Sequence, residues 1–230
     1  MKKLIIIPAF NEANSLVALV DEITQKAPDY DYVIVNDGSH DHTSELCVKQ
    51  RLNFLDLSLN LGIGGAVQAG YVYARYHCYD IAIQIDGDGQ HDPAYLDRLI
   101  EPLVKGEADF TVGSRYINKE GFQSSALRRL GIKWLNGIIR LLTRVKISDC
   151  TSGFRAVNMK VISMFARNYP YDYPEPETII DVHRHGFRIT EVPVVMRSRE
   201  HGTSSIRMMK SVYYMIKVSL AMFVSFFKRR

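Results

Sequence analysis

A chain of 230 residues, 47% hydrophobic and 23% charged, has the composition of an ordinary globular protein and is long enough to bury a sizeable core. Its net charge of +4 is small, and no nucleic-acid partner is expected from it. Cys47, Cys78 and Cys150 are odd in number and form no CxxC, which argues against a disulfide framework or a zinc site and for a reducing, cytosolic compartment.

The first apolar run, KLIII (3–7), stops at Pro8 and is followed by Asn11 and Glu12, so it reads as a strand and not as a signal peptide. Strand-like runs follow at YVIV (32–35), FLDL (54–57), IAIQI (81–85) and FTVG (110–113), with helical periodicity at about 14–27, 43–51, 63–78 and 93–105. This alternation predicts an α/β fold with a mostly parallel sheet covered on both faces. FRITEVPVV (187–195) reads as one more strand in the same sheet.

Two segments carry bases and no acids. In residues 126–146, Arg129, Lys133, Arg140 and Arg144 recur at helical spacing beside Leu130, Trp134, Leu135, Ile138, Leu141, Leu142 and Val145; an interfacial helix and a core-packed helix with a basic face weigh equally. In residues 206–230, Arg207, Lys210, Lys217 and Lys228 fall near one face, and Met209, Tyr213, Ile216, Leu220, Phe223 and Phe227 crowd the other. The longest uncharged stretch there, Val218–Phe227, is too short to span a bilayer, so a membrane surface is the expected partner, with an oligomer interface as the alternative.

Polar clusters sit at the carboxyl ends of the first four strands, where open α/β sheets bind ligands. In DGDGQHD, Asp86, Asp88 and Gln90 alternate, and their hard oxygens suit Mg²⁺ or Mn²⁺ when a diphosphate supplies further oxygens. An EF-hand is disfavoured because His91 occupies the position that demands glycine. In NDGSHD, Asp37 is placed to accept a hydrogen bond from a base or ribose, although such a loop is more often structural. NLGIGGAVQAG (60–70) has glycines for close backbone approach to a phosphate, but it is neither a P-loop nor a complete GxGxxG. YPYDYPEPETI (169–179) reads as an aromatic, proline-rich loop in which Glu175 and Glu177 face donor-sugar hydroxyls or serve structure alone.

Taken together, PAFNE, NDGS, NxGxGGA and DGDGQ, in this order, resemble the family 2 glycosyltransferases of GT-A fold. GSRY (113–116), SDCTSGFRA (148–156) and the RxxGxS of Arg199, Gly202 and Ser204 are similar to the dolichol/polyprenyl-phosphate sugar synthases within that family. The resemblance implies a catalytic domain over 1–205, with about 1–112 holding the nucleotide sugar and about 113–205 the acceptor, followed by the amphipathic tail. It implies Pro8, Ala9, Asn11, Glu12, Asp37, Gly38 and Gly62 around the nucleotide, and Asp86, Asp88 and Gln90 around metal and diphosphate. Arg115, Arg128, Arg129, Ser152, Arg199 and Ser204 would meet the acceptor, with Arg115 also counted as catalytic. Two departures stand out: Ile63 and Ser205 occupy positions where many relatives carry lysine.

A lipid monophosphate, with a second pKa of about 6, is largely a dianion at neutral pH and needs positioning, not deprotonation. The sequence therefore predicts an inverting transfer of one sugar from a UDP- or GDP-linked donor to a polyprenyl phosphate at the cytoplasmic membrane face. A glycan or glycolipid hydroxyl is the alternative acceptor, with Asp149 as its base, and a membrane-bound sugar-nucleotide sensor is the alternative of another class. A homo-oligomer or an integral-membrane partner fits either tail reading.

Overall fold

The computed structural model describes residues 1–121, 125–197 and 208–227. Strands β1 (Lys3–Ala9), β2 (Asp31–Asn36), β3 (Phe54–Asp56), β4 (Ile81–Gln84), β5 (Phe110–Ser114), β6 (Arg155–Asn158) and β7 (Ile189–Pro193) form one sheet in the order β3-β2-β1-β4-β6-β5-β7. The first four strands pair in parallel; β6 runs antiparallel to both β4 and β5, and β7 is parallel to β5. The predicted mostly parallel α/β sheet is therefore present, with one antiparallel insertion that the apolar pattern does not announce.

Helices α1 (Leu16–Lys26), α2 (Thr43–Lys49), α3 (Gly62–Tyr76) and α4 (Leu96–Val104) connect the early strands. Then come α5 (Ala126–Thr143), α6 (Met159–Phe165), α7 (Pro174–Arg184) and α8 (Met208–Phe227). Successive residues of a strand face opposite sides of a sheet, and β1 divides accordingly. Leu4 and Ile6 pack into the layer containing α3 and α5–α7, whereas Ile5 and Ile7 pack against α1 and α4. Leu96, Leu99, Ile100 and Leu103 recur at helical spacing and bury one face of α4.

The two basic segments are helices docked on the body, and each has two apolar faces. In α5, Ile132, Leu135, Ile138 and Ile139 are buried, while Leu127, Leu130, Trp134 and Leu141 are exposed. In α8, Val218 and Met222 are fully buried, while Tyr213, Ile216, Leu220, Val224 and Phe227 are exposed. Trp134 Nε1 donates to Ser219 Oγ at 3.2 Å, and Ser225 Oγ donates to Asp181 Oδ1 at 2.6 Å, fixing α8 to α5 and α7. Among the described residues no helix is long and apolar enough to cross a membrane.

Candidate active site

The carboxyl ends of β1, β2 and β4 and the start of α3 open onto a cleft of about 1630 Å³. Asp37, 3% exposed, takes the Leu61 backbone N–H on Oδ1 at 2.7 Å, which fixes the entry to α3. Gly38 has φ +62, and a side chain there would collide with the Asn60 backbone, so the turn requires glycine. Pro8, Ala9, Glu12, Asp37 and Gly62 line the cleft. Asn11 instead joins the first two loops, its backbone N–H donating to Ser39 Oγ at 2.9 Å and its Oδ1 accepting from the His40 backbone N–H at 2.8 Å.

The acidic loop after β4 turns at Gly89, where φ is +74. Asp86 and Asp88 both line the cleft. Asp88 Oδ1 accepts the Gln90 backbone N–H at 3.0 Å, and Ser15 Oγ donates to the Gly87 carbonyl at 2.7 Å, tying this loop to the first. His91, which in the sequence argues only against a calcium loop, is buried beneath it. Its Nδ1 accepts the Asp86 backbone N–H at 3.1 Å, and its ring stacks on Phe154 with centroids 5.0 Å apart. Gln90 lines the cleft, but its Nε2 donates to the Arg197 carbonyl at 3.2 Å, leaving Oε1 as the oxygen it can offer a cation.

Do these residues fit a divalent metal? Gly153 lies so close to Asp86 that an added Cβ would fall 2.7 Å from Oδ2, so the Asp86 carboxylate sits in a cradle only glycine permits. Asp86 and Asp88 offer hard oxygens to the open cleft, and among the described residues no group of three or more His, Cys, Asp or Glu forms a closed metal cluster. Such a set suits an ion that draws its remaining ligands from a diphosphate and water.

Arg115 at the end of β5 is 6% exposed and grips Asp149 in a bidentate pair: Nε to Oδ2 at 2.6 Å and Nη2 to Oδ1 at 2.8 Å. Asp149 is fully buried and is oriented by Glu191, which accepts its backbone N–H at 2.9 Å. Asp149 is thus the partner that aims Arg115 and is not placed to act as a base, because both its oxygens are committed and it does not meet the cleft. Burial pushes the Glu191 carboxyl up, while hydrogen bonds from Ser148 and Asp149 pull it back.

Thr151, Ser152 and Gly153 line the cleft, with Gly153 beside the Asp86 carboxylate. Arg155, 1% exposed, holds this turn from behind, with Nε on the Ser152 carbonyl at 2.6 Å and Nη2 on the Cys150 carbonyl at 2.9 Å. Its Nη1 donates to Thr178 Oγ1 on α7. Sequence reasoning missed Arg155; the signal available was an arginine one residue after a turn phenylalanine, inside what proves to be the antiparallel strand β6. The proline-rich segment is likewise corrected from loop to helix: Pro174 opens α7, where a missing N–H costs nothing.

The glycines of the third loop serve chain packing as well as any ligand. A side chain at Gly64 would overlap the Pro170 carbonyl and the Tyr171 backbone, so this glycine admits the segment before α7 instead of a phosphate. Gly70 makes room for Ile6. Gly62, with φ +77 and open space where a Cβ would stand, faces the cleft.

Beyond Arg115 the cleft continues without a break between α5 and α8. Arg128, Leu130, Gly131, Trp134, Met215 and Leu220 line this extension. Arg128 is exposed at its edge, Arg129 is exposed but outside the lining, and Ser152 lies within it. Arg199 and Ser204 fall outside the described residues.

A doubly wound sheet whose acidic β4 tip faces the start of α3, with an antiparallel strand inserted beside it, is a GT-A fold. Glucosyl-3-phosphoglycerate synthase from Mycobacterium tuberculosis, solved with Mn²⁺, UDP-glucose and phosphoglyceric acid, superposes with a TM-score of 0.72 at 17% identity, over 98% of this chain and 79% of its own. The sequence profile "Glycosyl transferase family 2" matches residues 4–165, and the chain belongs to that family. Polyprenol monophosphomannose synthase of Mycolicibacterium smegmatis is 29% identical over 89% of this chain and 81% of its own. Undecaprenyl-phosphate mannosyltransferase of Micrococcus luteus is 29% identical over 90% and 88%.

Proposed function

We propose that this enzyme transfers one sugar, with inversion, from a nucleoside-diphosphate sugar to a polyprenyl phosphate at the cytoplasmic face of the membrane. The observation that carries this reading is the continuity of the cleft from Asp86 and Asp88, past Arg115, into an apolar groove between α5 and α8. A hydrophilic acceptor has no use for such a groove, whereas a lipid phosphate places its headgroup at one end and its chain along the other. The relatives named for polyprenol and undecaprenyl-phosphate acceptors support the same assignment.

In this reading about residues 1–112 form most of the donor site and about 113–205 the acceptor side. The first-loop residues and Asp37 seat the nucleoside, and Asp86 and Asp88, with Gln90 Oε1, hold a Mg²⁺ or Mn²⁺ ion. The ion, when bound, supplies positive charge beside the diphosphate. Arg115, held rigidly by Asp149, sets the acceptor phosphate in line with the anomeric carbon, helped by Arg128 at the groove edge and, by the sequence resemblance, by Arg129, Arg199 and Ser204. The phosphate already carries the negative charge it needs, so no base is required, in keeping with the sequestration of Asp149. The exposed apolar side chains of α5 and α8, flanked by Arg129, Lys133, Arg140 and Lys217, rest on the anionic membrane surface.

The test is nucleoside-diphosphate release across a panel of UDP- and GDP-linked sugars, with and without polyprenyl phosphate and divalent metal. Release should require both additions. Release that ignores the lipid overturns the acceptor assignment, and donor binding without turnover under any condition favours a sensor.

A further inference from the structure

The acidic groups of the cleft are not equivalent. Asp37 is occupied by the Leu61 N–H, Glu12 belongs to the first loop, and Asp86 and Asp88 share the loop at the β4 tip. Glu175, in the first turn of α7, also lines the cleft. Its carboxylate receives a hydrogen bond from its own backbone N–H, and among the described residues no other side chain donates to it. Burial raises its affinity for a proton, opposed by Arg155 and reinforced by the charge of Asp86.

Three ligand chemistries compete for such a group. A phosphate is repelled by a carboxylate in a partly desolvated site. A metal shared with Asp86 and Asp88 would need three acids gathered together, and among the described residues no such group exists. A neutral ligand rich in O–H donors is the remaining chemistry, because a carboxylate accepts several hydrogen bonds and donates none when ionised.

The surroundings hold Glu175 in place for such a ligand. Arg155 bridges the Thr151–Gly153 turn to Thr178, whose Oγ1 in turn donates to the Pro174 carbonyl at 2.6 Å, with the Glu175 carbonyl 3.2 Å away. One buried guanidinium therefore sets both the glycine that cradles Asp86 and the helical turn that presents Glu175. The chain just before α7 is seated against α3 where Gly64 leaves room. On the reading that the cleft holds a nucleotide sugar, we infer that Glu175 is a specificity-determining residue that accepts hydrogen bonds from hydroxyls of the transferred sugar ring.

The inference is tested by donor binding alone, without lipid, using calorimetry on the full chain with UDP-glucose, GDP-mannose and their monodeoxy analogues. Hydrogen bonds to a charged group are strong, so removing the contacted hydroxyl should weaken wild-type binding by about 10-fold or more. Glu175→Ala should weaken the parent nucleotide sugar by a similar factor of about 10, and should bind that deoxy analogue and the parent alike. UDP or GDP itself should bind Glu175→Ala within about 2-fold of wild type, since Glu175 is inferred to avoid the diphosphate. Glu175→Gln, which keeps the shape and one acceptor oxygen, should fall between the two and controls for folding. The inference is overturned if every deoxy analogue loses the same factor in wild type and in both variants, or if nucleoside-diphosphate affinity falls together with that of the sugar. Failure of the lipid assignment would appear in the release assay and leave this binding cycle intact. Absence of nucleotide-sugar binding to wild type would overturn both.

Discussion

The two ends of the cleft are built on opposite principles. At the donor end, short loops are locked to one another by hydrogen bonds: Asn11 to the second loop, Asp37 to the third, and Ser15 to the fourth. At the acceptor end, α5 and α8 meet through the Trp134–Ser219 hydrogen bond and leave Leu127, Leu130, Trp134, Ile216 and Leu220 exposed. The contrast follows from what each end meets. A nucleoside diphosphate is a small, rigid, charged object that rewards preorganised polar groups. An isoprenoid chain has no polar features beyond its headgroup, so it rewards apolar area and tolerates looseness.

The largest effects are expected at the donor end. Asp88→Asn should lower turnover by about 1000-fold, because the amide removes the charge of one of the two carboxylates offered to the cation. Binding to anionic vesicles should be unchanged, and a variant that lost both activities would indicate misfolding and refute the separation. Chelation of divalent metal should reproduce the turnover defect, and added Mg²⁺ or Mn²⁺ should restore it.

Arg115 stands between the two ends. Arg115→Ala would leave Asp149 buried and uncompensated, at a cost of about 3 kcal/mol in stability measured by urea unfolding. Arg115→Lys should retain more of that stability, but it loses the two-pronged grip, so acceptor KM should rise even where the protein is folded.

The acceptor end yields smaller effects. Leu130→Ser combined with Leu220→Ser should reduce vesicle association by about 10-fold while leaving nucleotide binding unchanged, because both side chains are mostly exposed and their loss costs little packing. Equal vesicle binding by this double variant would favour an oligomer interface on the same face.

The smallest effect concerns the clamp behind the acidic loop. Arg197 bonds both oxygens of Glu22 at 2.8 and 2.6 Å and also reaches Asp92 at 2.7 Å. The hydrogen bond from Arg197 lowers the Glu22 pKa below its ordinary 4.5. A carboxylate lowered in the folded state stabilises the fold above its unfolded pKa, and this contribution is lost as the pH falls through the folded value. Glu22→Gln should therefore narrow the stability difference between pH 7 and pH 3, by less than about 1 kcal/mol because the pair is partly solvated. Thermal melts across that range would reveal it, and an unchanged pH slope would show that the clamp is not coupled to folding.

How much of this was legible in the sequence differs along the chain. The alternation of apolar runs and helical periods determined β1 to β5 and α1 to α4, because each of those elements satisfies its own pattern locally. The acidic and glycine-bearing turns marked the rim, since open α/β sheets gather ligands at the carboxyl ends of strands. Strand β6 was hidden inside a loop-like motif of Ser, Asp, Thr and Gly; four residues are too few to show a period. Helix α7 was hidden by prolines that are permitted only in its first turn.

Fold class, the acidic β4 tip and the two-faced character of the basic segments can all be read along the chain, because these depend on composition and on neighbours within a few residues. That Asp149 serves Arg115, that Gly64 admits the backbone before α7, and that Arg155 joins the Asp86 cradle to the turn bearing Glu175 emerges once the chain is folded. Each of those facts depends on distance between residues far apart in the chain, and a single sequence carries no record of who stands beside whom once the chain has closed on itself.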